Sequence, residues 1–270
     1  MTQPAIDYTS LAQRFITPDV RAVLLQGSRA RGDAGEYSDI DLKLFLGTSQ
    51  PPAPPASYLI DGQLVTVSGA TPDEIENWFV DPEWNVAVVQ GLRDAHILYD
   101  PEGLAAQVQQ RARAFVRDAA MQVRAYLWVS AEMAGWVEEV YKGLEGLSRH
   151  DVGRMLNARH GFSWGLTRIL TVYRGILLSG DNAIIDEVTR VVGAGSRWAI
   201  LRDAAFGICN FDGTPITIED QIIAGLELYL ETAHMVDDAI QPEHRALVHH
   251  AVSVIKHELV ALHKAGAHGQ

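Results

Sequence analysis

A Gly27-Ser28 pair is followed, after ten intervening residues, by Asp39-Ile40-Asp41. An apolar run at 22–26 leads straight into the glycine, which lets a chain turn sharply and bring bare backbone against a ligand. Serine offers a hydroxyl and an amide to phosphate oxygens, and a helix start behind it would add further amide donors. Arg29 and Arg31 place two cations beside the presumed phosphate. Asp39 and Asp41 are two apart on a predicted strand, so both carboxylates leave the same face. Such a pair repels itself unless a cation joins it. Magnesium is the natural one, because hard oxygen ligands and substrate phosphates complete its octahedron. A metal bridge of that kind suits in-line displacement at phosphorus. Lys43, on the same face by alternation, is placed to balance charge or touch a triphosphate. A Gly-Ser pair alone is a turn, and Asp-x-Asp alone is an exposed strand end. The combination in a strand–loop–strand setting is what carries the chemistry.

The surrounding pattern supplies that setting. Residues 22–26, 40–46, 64–67 and 96–99 read as strands. Thr71-Pro72-Asp73-Glu74 has the cap, proline and glutamate of a helix start. Asp81-Pro82-Glu83 and Asp100-Pro101-Glu102 repeat an Asp-Pro-Glu device that opens helices. The proline-rich stretch 50–57 reads as a stiff surface connection between strands. Beyond about residue 104 the periodicity turns helical, with helices expected at 103–143, 149–179, 182–192, 196–207, 217–239 and 242–264. Thr217 is a plausible cap for the fifth. The fold class expected is α+β: a small mixed-sheet domain over 1–110, then an all-α helical bundle over 111–266.

The residues Gly27, Ser28, Asp39 and Asp41, within GSRARGDAGEYSDIDL, resemble the signature of the polymerase-β-like nucleotidyltransferase superfamily. The two-part layout is similar to that of aminoglycoside and lincosamide nucleotidyltransferases, in which a helical domain follows the nucleotide-binding one. The resemblance implies Mg2+-dependent transfer of a nucleoside monophosphate, AMP from ATP, to a hydroxyl, with release of pyrophosphate. It also implies a third carboxylate from a later strand. Thr66, in 64–67, stands where that acid is expected, with Asp61 upstream and Glu74 downstream as the other acids in range. In the antibiotic-modifying relatives a glutamate of the helical domain is the general base, a role for which Glu138, backed by Lys142 four residues on, is chosen over Glu139.

Composition bounds the partners. The chain has 270 residues, and 22 basic against 34 acidic residues give −12 at neutral pH. That charge disfavours nucleic acid and favours cations, metal ions and polycationic small molecules. No stretch has the length and apolarity of a membrane span. The opening residues lack a basic segment followed by an apolar one, so no secretory leader is expected. Cys209, a lone cysteine, reads as a small apolar filler in a reducing cytoplasm. His249, His250, His257 and His263 form no zinc pattern. Arg154, Asn157, Arg159 and His160 read as helix surface, and the tryptophans at 78, 84, 128, 136, 164 and 198 as packing anchors.

The expectation is therefore a cytoplasmic nucleotidyltransferase with catalytic Asp39, Asp41 and Glu138. Its metal ligands are Asp39 and Asp41, and its nucleotide contacts are Gly27, Ser28, Arg29, Arg31 and Lys43. The acceptor is a small hydroxyl-bearing molecule, an aminoglycoside-like antibiotic among the candidates, and a homodimer stays open. The rivals are an antitoxin-like enzyme that adenylylates a protein and an inactive nucleotide-binding regulator.

Overall fold

The computed structural model describes residues 6–48, 54–208 and 214–267, with side chains to residue 261. Cys209 and the first part of the proline stretch lie outside the described residues. The fold is α+β, with a five-stranded mixed sheet followed by helices. The chain divides into two compact units. One comprises residues up to Asp118 together with Leu177–Ala183; the other comprises Ala119–Ile176 and everything from Ile184 onward.

The sheet of the first unit is ordered β3-β4-β2-β1-β5. Its strands are β1 (Val20–Gln26), β2 (Ile40–Leu46), β3 (Ala56–Ile60), β4 (Gln63–Ala70) and β5 (His96–Tyr99). β2 runs antiparallel to β1 and parallel to β4, with Asp41 opposite both Gln26 and Thr66. β3 is an addition to the strands predicted from the sequence. It is an edge strand whose side chains are largely exposed, so no buried alternation marks it.

Alternation gives the sheet two unlike faces. On one, Val23, Leu25, Ile40, Leu42, Val65 and Val67 are buried beneath α1 (Tyr8–Gln13). The other is divided along its length. At one end Ala22, Phe45 and Ala70 join a core with α3 (Pro72–Asn77), α4 (Pro82–Asp94) and α5 (Leu104–Ala114). At its other end the same face presents Gln26, Asp41, Lys43, Thr66 and Ser68. A polar group buried without partners is costly, so this end suits a cavity better than a core.

Local signals set most helix starts. Thr71 and Glu74 form a reciprocal capping box at α3. The Asp81 carboxylate accepts from the amides of Glu83 (2.8 Å) and Trp84 (3.1 Å) at α4. The second Asp-Pro-Glu acts at longer range: α5 begins at Leu104, and Asp100 accepts from the amides of Ala105 and Ala106.

The second unit is helical among its described residues, with α6 (Ala119–Gly135), α7 (Val137–Arg149), α8 (Val152–His160), α9 (Leu166–Arg174), α10 (Ile184–Val192), α11 (Arg197–Phe206), α12 (Ile218–Met235) and α13 (Pro242–Ala267). Its interior holds Met133, Met155, Phe162, Trp198 and Tyr229. Thr217 caps α12 by accepting from the Asp220 amide. The single helix expected over 103–143 is three. It breaks after Ala114, where the Arg93 guanidinium takes the carbonyls of Ala112 and Phe115. The helix expected over 149–179 is interrupted by a π-helical turn, Gly161–Gly165, and ends at Gly175 in the left-handed conformation. A side chain at Gly161 or Gly165 would collide with the Trp136 ring, so packing, not local propensity, shapes this turn. No described helix is long and apolar enough to cross a membrane.

Candidate active site

β1 ends at Gln26 and α2 (Gly27–Arg31) starts at the next residue. Gly27 has a φ of +67°, a conformation that costs a residue with a side chain about 1–2 kcal/mol. A Cβ there would also run into the Asp41 carboxylate. Both facts call for glycine, and together they show that Asp41 lies directly against bare backbone at the mouth of the Gly-Ser turn.

Asp41 is half-buried, and burial pushes its carboxyl above the usual range. The neighbouring Asp39 charge pushes the same way, while Lys43 and Arg31 pull it back. Burial pushes the Lys43 ammonium down, opposed by Glu74 and Asp41, and its Nζ lies 5.9 Å from the Trp78 ring centre. Thr66 Oγ1 donates to Asp39 Oδ2 at 2.8 Å, fixing that carboxylate's orientation. The position expected to hold a third acid is thus a hydrogen-bond donor to the first.

A cavity of about 340 Å³ opens at this polar end of the sheet. Its walls include Gly27, Asp41, Lys43, Thr66, Ser68 and Trp84. Ser179, Gly180 and Asp181 of the returning segment 177–183 line it too. That segment is held by the Leu178 amide donating to the Val86 carbonyl (2.7 Å) and by Arg31 donating to the Ser179 carbonyl (2.6 Å). A larger cavity, about 410 Å³, lies on the α1 side of the sheet, beside Ile40 and Val65. It holds the exposed Arg14–Asp61 ion pair but neither of the paired carboxylates, so the smaller cavity is the better chemical candidate.

The other expected residues have defined surroundings. Arg29 donates to the carbonyls of Ser38 and Asp39 and to Gln63. Arg31 pairs with Asp33 (3.1 Å) besides holding Ser179. Both guanidiniums therefore brace the loop and its surroundings. Glu74 is engaged in its capping box, and Asp61 lies on the β3–β4 turn away from Asp41's cavity. Glu138, on α7 of the second unit, is 73% exposed and shares Lys142 with Glu139. Glu139 is 14% exposed, and its Oε2 is buried without a hydrogen-bond partner. Isolation of one oxygen distinguishes Glu139 from its neighbour, which has the surroundings of an ordinary surface ion pair. Sequence spacing had no way to separate the two. Ser68, Trp84 and Asp181 were also not singled out; Ser68 shares a face with Thr66 by alternation, whereas the others reach the cavity only through tertiary packing.

No family model matches the chain. No curated protein matches it either. Among solved structures it is similar to a nucleotidyltransferase-like protein from Exiguobacterium sibiricum 255-15, at 12% identity and a TM-score of 0.48, over 86% of this chain and 73% of that one.

The donor set fits a magnesium ion better than a zinc ion. Among the described residues no three His, Cys, Asp or Glu side chains are grouped to hold a metal by themselves. Magnesium is commonly held by one or two carboxylates, with substrate phosphates and water completing the shell. Two adjacent carboxylates, one of them destabilised as an anion by burial and by the other, meet that description.

Proposed function

We propose that this chain is a nucleotidyltransferase that binds a nucleoside triphosphate, ATP in the leading reading, with magnesium. It would pass the nucleoside monophosphate to a hydroxyl of a small molecule. The carrying observation is the seating of the Asp41 carboxylate against the bare Gly27 backbone, next to Asp39 and in one cavity with Lys43. Asp39 and Asp41 would hold a magnesium ion, which would supply positive charge to offset that of the phosphates. The Ser28 hydroxyl and amide would meet phosphate oxygens at the turn. Lys43 would stabilise charge that builds on the departing pyrophosphate. In the transfer, the acceptor oxygen bonds to the α-phosphorus, the bond to the bridging oxygen of pyrophosphate breaks, and the hydroxyl proton leaves to a base or to water. The overall −12 charge favours a cationic acceptor, aminoglycoside-like molecules included.

Thr66 favours a second reading, a protein that binds nucleotide without transferring it, because a hydroxyl replaces the acid expected at that register. Pyrophosphate release separates the two. The purified protein with magnesium, each of four nucleoside triphosphates and a panel of hydroxyl-bearing antibiotics and metabolites should release pyrophosphate with at least one pair. Tight Mg-ATP binding with no release for any acceptor would favour the second reading.

A further inference from the structure

The α4 wall of the cavity has no part in the chemistry described above, yet its composition is unusual. Trp84, Ala87, Val88 and Gly91 recur at helical spacing and line the cavity. Val86, Val89 and Leu92, on the other side of α4, are buried in the core. The buried side anchors the helix, with Val88 partly packed against the same core, while Trp84, Ala87 and Gly91 line the cavity. On that side Trp84 is 49% exposed, similar to Trp164 of the second unit at 45%, whereas Trp78, which also lines the cavity, is buried. Leaving half an indole in water forgoes apolar burial. The Trp84 backbone is held at the first turn, where Asp81 accepts from its amide (3.1 Å).

Gly91 is the second oddity. It sits inside a 13-residue helix, where glycine costs about 1 kcal/mol relative to alanine. A Cβ at Gly91 would meet nothing within 4 Å, and its φ is not in the left-handed region. Neither packing nor backbone geometry asks for glycine here. What the missing side chain leaves is open volume on the cavity wall beyond Trp84. The cavity thus combines the charged Asp41, Lys43 and Asp181 with an α4 wall of Trp84, Ala87, Val88 and Gly91. A ligand with a polyanionic tail and a planar ring matches both.

The geometry points to Trp84 as the surface on which the nucleobase of the bound triphosphate stacks, with Gly91 providing the clearance for it. This rests on the nucleotide reading and adds to it the placement of the base. Stacking on an aromatic side chain tolerates any base, because every base has a π-face.

The test compares Mg-ATP with magnesium tripolyphosphate, which has the anionic tail and no base, by calorimetry on the full chain. Trp84→Ala should weaken ATP by about 5- to 140-fold, the usual worth of one stacked base, and leave tripolyphosphate at the parent affinity. Gly91→Leu puts a good helix former into open volume, so it should melt no lower than the parent while blocking ATP and sparing tripolyphosphate. It keeps the test sharp if Trp84→Ala folds poorly. ATP binding at parent affinity in the folded variants, or equal weakening of both probes, would overturn the placement of the base and leave the nucleotide reading standing. A parent protein that binds neither probe would overturn the nucleotide reading itself, and this placement with it.

Discussion

Replacing Gly27 by alanine separates two costs that the structure predicts there. The backbone cost alone, for a Cβ at φ +67°, is about 1–2 kcal/mol. The second cost is the collision of that Cβ with the Asp41 carboxylate. Forcing a group into occupied space costs about 1–3 kcal/mol. Gly27→Ala should therefore destabilise the protein by about 2–5 kcal/mol. Gly32 is an internal control, because its φ is +81° and a Cβ there would meet nothing within 4 Å. Gly32→Ala should cost only the backbone share, about 1–2 kcal/mol. Urea unfolding of the parent, both glycine variants, Asp41→Ala and the Gly27→Ala/Asp41→Ala pair closes a double-mutant cycle. The pair should recover the collision share, about 1–3 kcal/mol, relative to additivity. Equal costs at the two glycines with no coupling to Asp41 would refute the placement of this carboxylate against the turn.

In the metal-chelated protein, Asp41→Asn should raise the melting temperature at pH 7, with the gain shrinking as pH falls toward the ordinary carboxyl value of 3.8. The sign follows from linkage: a carboxyl whose folded pKa is raised binds its proton more tightly in the folded state, so the parent loses stability as pH rises through that window. Parallel melting curves for parent and variant from pH 3 to 7 would contradict the burial of Asp41. Arg31→Ala should cost about 1–3 kcal/mol through loss of the Ser179 and Asp33 contacts, and should speed amide exchange around Ser179 and Asp181. Unchanged stability and exchange, with tripolyphosphate binding lost, would make Arg31 a phosphate ligand and not a brace.

The parts of the fold that were legible in the sequence are those fixed by near neighbours. Ile40 and Leu42 point into the core and Asp41 and Lys43 away from it because strand alternation allows nothing else. The caps at Thr71, Asp81 and Thr217 likewise act within a few residues of themselves. What escaped depends on distant partners. The end of α5 is set by Arg93, the π-helical turn by Trp136 seated on two glycines, and the fold-back of 177–183 by Val86 and Arg31. The same division runs through the site. Gly27 and the Asp39–Asp41 pair stand out by type and spacing, but Trp84 looks like any other packing tryptophan until its place on the cavity wall is known. The two arginines show it as well: their bonds to the Ser38 and Ser179 carbonyls could not be read from spacing.

Whether Asp39 and Asp41 hold a divalent cation around a triphosphate, as proposed, is decided by calorimetry with Mg-ATP. Parent, Asp39→Asn and Asp41→Asn should be titrated with ATP in the presence of magnesium and again in its absence, after circular dichroism shows all three folded. Magnesium-dependent ATP binding is expected in the parent, with loss of that dependence in both variants. Parent affinity for Mg-ATP retained by both variants would contradict that proposal.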